Sequence, residues 1–375
     1  MKSTVKQIQL FAGNEAFRLD CGKELYDVNV AFTTYGALNK SKDNVVLICH
    51  ALTGDSNAAG ELEINNELIE NIPLYSAMKK NQPGWWDKMI GSGKTIDTEK
   101  YFVISSNVLG SCYGTTGPSS INPRTGKKYL MDFPQVTVRD MVRLQKSLLN
   151  HIGVKSIKSI IGGSLGGMQA LEWAIMFPEM VESIIPIATS ARHSPWAISF
   201  NHIGRNAIIN DPVWNNGNYL REVPGLGIAR QLGMVSYRTG KSFSNKFMRE
   251  RLLPENYFDE SNQFQVASYL DYQGRKLINR FDANSYLIIS RALDLHDVTY
   301  GRGELDEVLN SIAAKTLCLG IDTDILYPTH EQKEIVKHIP NSVYAEINSL
   351  HGHDGFLIEL DQLEKIIKPF LDSIE

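Results

Sequence analysis

The sequence predicts an α/β fold: a mostly parallel central sheet flanked by helices, interrupted by a helical insertion. Three observations carry that expectation. Continuous apolar runs of strand length, at residues 44–49, 101–107, 182–188 and 316–321, read as strands covered on both faces. Segments with helical period alternate with those runs, as a parallel sheet requires. One strand-to-helix junction near residue 164 is built almost wholly of glycine around a single serine.

Taken in order, residues 5–35 hold alternating runs, notably Leu25-Tyr26-Asp27-Val28-Asn29-Val30-Ala31-Phe32, with the period of half-buried antiparallel strands. The run at 44–49 ends in His50-Ala51-Leu52-Thr53-Gly54, and the run at 101–107 ends in Val108-Leu109-Gly110-Ser111. Between them Gly93-Lys94-Thr95 invites a phosphate-loop reading, but Lys88 stands where that motif needs glycine and no strand leads into it. The stretch from Gly114 to Pro123 is turn chemistry throughout. An amphipathic helix is expected over 136–149, a strand over 157–160, a helix over 169–177 stopped by Pro178, and a strand over 182–188. From 190 to 310 the strand runs vanish, and helix-like segments rich in aromatics take over: Trp214, Tyr219, Tyr237, Phe243, Phe247, Tyr257, Phe264, Tyr269 and Tyr272. This region reads as a helical lid over the sheet's C-terminal edge, where open α/β sheets bind ligands. A strand at 316–321, a helix at 331–338, a strand at 342–347 and a helix over 356–374 complete the chain. The expected division is thus a catalytic domain of residues 1–189 and 311–375, with 190–310 as the inserted lid.

The 375 residues suffice for one large domain with an insertion. With 43% hydrophobic and 21% charged residues the composition is that of an ordinary globular protein, and a net charge of -4 gives no reason to expect nucleic acid. The four cysteines form no C-x-x-C pair, so neither a disulfide framework nor a metal site is expected. No apolar stretch approaches the length that crosses a bilayer, and residues 1–10 have no signal-peptide core, so a cytoplasmic protein is expected.

Gly162-Gly163-Ser164-Leu165-Gly166, between strand and helix, is the G-x-S-x-G nucleophile elbow of the α/β-hydrolase fold. The tight turn strains the serine backbone, and side chains at the flanking positions would keep strand and helix apart. Such a serine needs a base and a carboxylate, which in this fold follow in that chain's order at the ends of later strands: acid first, then histidine. The acid slot holds Asp322 or Asp324, and the base slot His351 or His353. The oxyanion hole takes the N–H of the residue after the nucleophile, Leu165, and a second from the loop after an early strand, for which Leu52 is the candidate. His50 is read as a capping or packing residue, and His193 and His202 as surface or packing residues.

Several motifs together resemble homoserine O-acetyltransferases: His50-Ala51-Leu52-Thr53-Gly54, Gly84-Trp85-Trp86-Asp87, Ser106-Asn107-Val108-Leu109-Gly110, Cys112-Tyr113-Gly114-Thr115-Thr116-Gly117-Pro118, the elbow, Asp324-Ile325-Leu326-Tyr327-Pro328 and Gly352-His353-Asp354-Gly355-Phe356-Leu357. The likeness runs from about residue 25 to the C-terminus. It selects Asp324 and His353 from the two open pairs. It implies ping-pong acyl transfer: Ser164 takes the acetyl group of acetyl-CoA, a co-substrate and not a bound cofactor, and passes it to the γ-hydroxyl of L-homoserine for methionine biosynthesis. It further implies that Arg230 and Tyr237 meet the substrate carboxylate, that Asp354 meets its amine, and that the lid carries a homodimer interface. Two positions depart from the family pattern. Asp55-Ser56-Asn57 stands where a second histidine is common, and Gly355 where alanine is common. The alternatives left open are a succinyl in place of an acetyl donor, a carboxylic-ester hydrolase, and a binding protein without catalysis.

Overall fold

The computed structural model describes residues 1–78, 82–253, 255, 258–259 and 263–374. Among these the main sheet has eight strands: β1 (Lys6–Leu10), β2 (Val28–Tyr35), β3 (Val45–Cys49), β4 (Phe102–Ser106), β5 (Ile157–Gly163), β6 (Ser183–Ile187), β7 (Lys315–Ile321) and β8 (Ser342–Ile347). Their spatial order is β8-β7-β6-β5-β3-β4-β2-β1. The six strands from β3 to β8 run parallel, and β2 pairs antiparallel with both β4 and β1.

Strand β3 shows why the apolar runs had to be continuous. Val45, Leu47 and Cys49 pack into the core on one face, while Val46 and Ile48 pack into the core on the other. A polar residue at any of them would strand an unpaired group in the interior. The expected half-burial of the second antiparallel strand holds only at its start: Asn29 is exposed, but Val30 to Phe32 are all buried because both faces of β2 are covered there.

Helix α1 (Val138–Ile152) precedes the elbow strand. Thr137 accepts from the Asp140 amide and Asp140 accepts from the Thr137 amide, closing a capping box worth about 1 kcal/mol, and Gly153 ends the helix in the left-handed region at φ 85°. Helix α2 (Leu165–Met176) starts directly at the elbow and is buried over its first ten residues, so it has no polar face.

Among the described residues, five longer helices lie between β6 and β7: α3 (Pro195–Ile209), α4 (Pro224–Tyr237), α5 (Gly240–Phe247), α6 (Gln265–Ile278) and α7 (Ala283–Asp294). The aromatics expected to line this insertion are present, although Tyr257 lies outside the described residues. Helix α8 (Thr329–His338) joins β7 to β8. The closing segment is not one helix, as its periodicity suggested. A short turn at Gly355–Ile358 breaks at Glu359 (φ −85°, ψ 50°) before α9 (Leu360–Asp372). The break lets Phe356 turn inward to the elbow while Leu363, Ile367 and Leu371 pack on the sheet.

Candidate active site

Ser164 sits between the last residue of β5 and the first of α2, at φ 58° and ψ −123°. That conformation costs a non-glycine residue on the order of 1–3 kcal/mol. It is held by hydrogen bonds: the Ser164 amide donates to Ile187, and the Ser164 carbonyl accepts from Gly167 and from the Thr189 hydroxyl, each at 2.9 Å. The reason for glycine at 166 is concrete. A Cβ there would lie 2.2 Å from the Cys49 carbonyl oxygen, at the end of the neighbouring strand.

Of the pairs left open by position, Asp324 and His353 are the ones that meet. His353 Nδ1 lies 2.7 Å from Asp324 Oδ2. The other carboxylate oxygen accepts from the amides of Leu326 (2.8 Å) and Tyr327 (3.0 Å), which fixes the carboxylate plane. Asp322 is occupied elsewhere, accepting from the Ser349 amide. The His353 ring is packed among Tyr327 at 5.1 Å, Phe356 at 5.5 Å and Tyr237 at 5.8 Å between centroids. Such packing leaves the imidazole little freedom except to exchange its proton. Among the described residues no hydrogen bond joins Ser164 to His353; contacts of this kind tighten when a substrate is seated. The Ser164 side chain instead lies within reach of the Tyr327 hydroxyl.

Of the two expected oxyanion donors, Leu165 follows Ser164 in the chain and Leu52 lines the same cavity as Ser164. Leu52 and Leu165 are buried, and among the described residues neither amide donates to a protein acceptor. A buried N–H left unpaired is costly, and one kept for a charge that develops only during reaction is the usual reason. The Leu52 loop is braced from below. His50 Nε2 accepts from the Val108 amide at 3.1 Å, and burial holds its pKa down to about 4, so it is a neutral structural residue as expected.

Ser164, His353, Leu52, Arg230, Tyr237 and Asp354 all line one cavity of about 930 Å³. The Arg230 guanidinium lies 5.7 Å from the Tyr237 ring centroid, and among the described residues it pairs with no carboxylate. Asp354 departs from the simple expectation of a waiting amine acceptor, because its carboxylate is 3.4 Å from Arg238. The Tyr237 hydroxyl is pushed up by burial, offset by Arg230 and reinforced by Asp354, and therefore remains a neutral donor.

Four further residues belong to this cavity and were not singled out as site residues by sequence reasoning. Tyr327 joins the nucleophile to His193, whose Nδ1 is 3.4 Å from the Tyr327 hydroxyl. His193 is packed and not on the surface: it lines the cavity beside Asn201, and burial lowers its pKa to about 4. His202, by contrast, is exposed as expected and pairs with Asn206. Arg280 donates to the Thr53 carbonyl at 2.8 Å. Asp55 is buried near that guanidinium, and burial pushes its carboxyl up to about 6. Tyr327 sits inside a motif already noticed, but the direction of its hydroxyl has no sequence signal. Lys94, from the dismissed phosphate-loop candidate, is paired with Asp87.

This geometry can be set beside known proteins. Residues 44–357 match a family described as alpha/beta hydrolase fold. A homoserine O-acetyltransferase of Moorella thermoacetica is 47% identical over 373 residues, covering 98% of this chain and 96% of its own length. The chain belongs to the homoserine O-acetyltransferase family. A second homoserine O-acetyltransferase, from Carboxydothermus hydrogenoformans, is also 47% identical, covering 95% of this chain and 93% of its own. Among solved structures, the homoserine O-acetyltransferase of Bacillus anthracis superposes with a TM-score of 0.88 at 30% identity over 99% of this chain and 98% of its own. Esterase E22 superposes with a TM-score of 0.86, also at 30% identity, over 98% of this chain and 100% of its own. The homoserine O-acetyltransferase fold therefore also serves an esterase, and the cavity must decide between them.

Proposed function

We propose that this chain transfers the acetyl group of acetyl-CoA to the γ-hydroxyl of L-homoserine by a ping-pong mechanism, as a cytoplasmic enzyme of methionine biosynthesis. The observation that carries this reading is the shared cavity, lined by a serine nucleophile, a carboxylate-paired histidine and a guanidinium that pairs with no carboxylate among the described residues. In the first half-reaction His353 removes the Ser164 proton as the hydroxyl attacks the thioester carbonyl. The amides of Leu52 and Leu165 receive the oxyanion, and the tetrahedral adduct collapses with loss of the thiolate, which takes the proton from His353. In the second half-reaction the same imidazole deprotonates the homoserine γ-hydroxyl, which attacks the acyl-serine and regenerates Ser164.

Arg230 offers the planar two-donor fork that orients a carboxylate, with Tyr237 beside it. Asp354 is assigned the substrate ammonium, which competes with Arg238 for the same carboxylate. Residues 190–310 are taken as one inserted lid over the catalytic domain of residues 1–189 and 311–375. Exposed Ile203, Leu220, Ile228 and Val235 on the insertion support a homodimer formed through it, and light scattering tests the oligomeric state. The chemistry uses no metal and no bound cofactor.

Ester hydrolysis is the second reading, favoured by the likeness to esterase E22. Supplying acetyl-CoA with and without homoserine and following free thiol separates the two. Thiol release that waits for homoserine supports transfer; release indifferent to it supports hydrolysis. Rapid quenching after acetyl-CoA alone, followed by intact-protein and peptide mass spectrometry, should show acetate on Ser164. Its absence at every time point overturns the ping-pong scheme.

A further inference from the structure

The loop that supplies the triad acid brings a second polar side chain to the nucleophile. Asp324 accepts from the Tyr327 amide at 3.0 Å, so the carboxylate that aligns His353 also fixes the tyrosine three residues on. The Tyr327 hydroxyl is within reach of the Ser164 side chain, and His193 Nδ1 lies 3.4 Å from the same hydroxyl. Both residues are buried, and both line the cavity that holds Ser164. Which atom donates to which is settled at the far end of the chain. Asp294, paired with Arg205, accepts from Asn201 Nδ2 at 2.9 Å, and the Ser290 carbonyl lies 3.4 Å from that nitrogen. Two acceptors fix the amide with its nitrogen toward them. The same nitrogen stands 3.3 Å from His193 Nε2. An amide nitrogen only donates, so Nε2 carries no proton and accepts; Asp294 itself is 4.0 Å from Nε2, beyond hydrogen-bond range. Burial keeps His193 neutral, with its pKa down to about 4, and its single proton is therefore on Nδ1. Nδ1 donates to the Tyr327 oxygen, which leaves the phenolic proton for Ser164.

We propose that Tyr327 is a further catalytic residue whose hydroxyl donates to Ser164 Oγ as negative charge develops there, and that Asn201 and His193 are the positioning residues that aim it. The proposal rests on Ser164 being the nucleophile of the reading above. During attack the Ser164 proton goes to His353, and Tyr327 keeps its own, because burial holds its hydroxyl well above the ordinary range. In the acyl-enzyme Oγ is an ester oxygen and a poor acceptor, so the bond from Tyr327 weakens. When the acceptor attacks, the bond from Oγ to the acetyl carbon breaks, Oγ again gathers charge, and His353 returns the proton to it. The donor is thus strongest in the two transition states and weak between them, which is the condition for accelerating both half-reactions.

A fluorophosphonate reports on the nucleophile without acetyl-CoA or homoserine: Oγ attacks phosphorus, fluoride leaves, and the serine proton passes to His353. Tyr327→Phe removes only the hydroxyl. Its rate of phosphonylation and its kcat for acetyl transfer should each fall roughly ten- to a hundredfold, while the KM values for both substrates hold. The rate constant comes from the molecules that label, so a misfolded fraction lowers the amplitude and not the rate. His193→Leu should lose as much as Tyr327→Phe, and His193→Asn, whose amide donates from nearly the place of Nδ1, should recover part of it. In the Tyr327→Phe background His193→Leu should cost nothing further, because the histidine acts only through the hydroxyl. A Tyr327→Phe variant that labels as fast as wild type, or losses that multiply in the double variant, overturn the proposal. A wild type that is never labelled at Ser164 removes the nucleophile, and the transfer reading with it. Labelling that depends on Tyr327 while no acetyl reaches homoserine leaves the role of the tyrosine standing and sinks the transfer reading alone.

Discussion

The guanidinium of Arg280 donates to the carbonyl oxygen of Thr53 at 2.8 Å. Thr53 follows Leu52, one of the two assigned oxyanion donors, and Arg280 lies between α6 and α7 of the insertion. The same guanidinium is 3.3 Å from the Tyr113 hydroxyl, which in turn donates back to the Arg280 carbonyl. A loop that must hold an amide in place is thus pinned by a side chain 227 residues away in sequence.

Arg280→Ala is therefore expected to lower kcat by roughly ten- to a hundredfold, less than the outright loss of an oxyanion donor, with a smaller effect on either KM. Guanidinium ion added to the assay should restore part of the rate. A change confined to KM, or a rate that guanidinium leaves untouched, would show that Arg280 serves only the fold.

Asp324→Asn keeps an oxygen for the amides of Leu326 and Tyr327, so the turn should persist and the melting temperature should change little. The imidazole partner is altered, however, and kcat should fall by roughly 10⁴ through loss of the correct tautomer. Steady-state rates beside circular dichroism check both halves of this expectation.

Arg230→Ala should raise the KM for homoserine roughly tenfold or more while leaving that for acetyl-CoA nearly unchanged, since the fork meets only the acceptor. Arg230→Lys should recover only part of the loss, because a point charge cannot orient a carboxylate. Equal changes in both KM values would remove Arg230 from the acceptor site.

Asp55 gives a pH signature. Its carboxyl is raised by burial from the ordinary 3.8 to about 6, so the folded state favours the protonated form. The stability associated with that form is present below about pH 4 and is lost as pH rises through about 6. Asp55→Asn, which retains an acceptor for the Asn57 amide, should remove this slope and gain most, relative to wild type, above pH 6. Denaturant midpoints at pH 4 and pH 8 measure it; an identical difference at both would contradict the assignment.

Legibility followed a physical divide. Strand ends, marked by local apolar runs, placed Ser164 and narrowed the acid to Asp322 or Asp324 and the base to His351 or His353; it took the family resemblance to choose Asp324 and His353. The glycines at 163 and 166 reported a close approach without naming the approaching group. By contrast, the Tyr327–His193 and Arg280–Thr53 contacts span 134 and 227 residues, and nothing local to either partner announces the other. Asp354 was visible as an acid beside the base, but its pairing with Arg238 depends on how α4 ends against the 352–354 turn, a matter of tertiary packing. The break at Glu359 was hidden because the apolar spacing on either side fits one continuous helix.

The elbow and the histidine turn are interlocked. A Cβ at Gly163 would come within 2.6 Å of the Phe356 ring, whose other neighbours are the His353 imidazole and, through the backbone carbonyl, the Trp86 indole. A single methyl added at 163 would be felt at the general base without touching it. Laboratory searches for new acceptors should accordingly diversify positions 163 and 356 as a linked pair, since singly randomised libraries at either would consist mostly of silent enzymes.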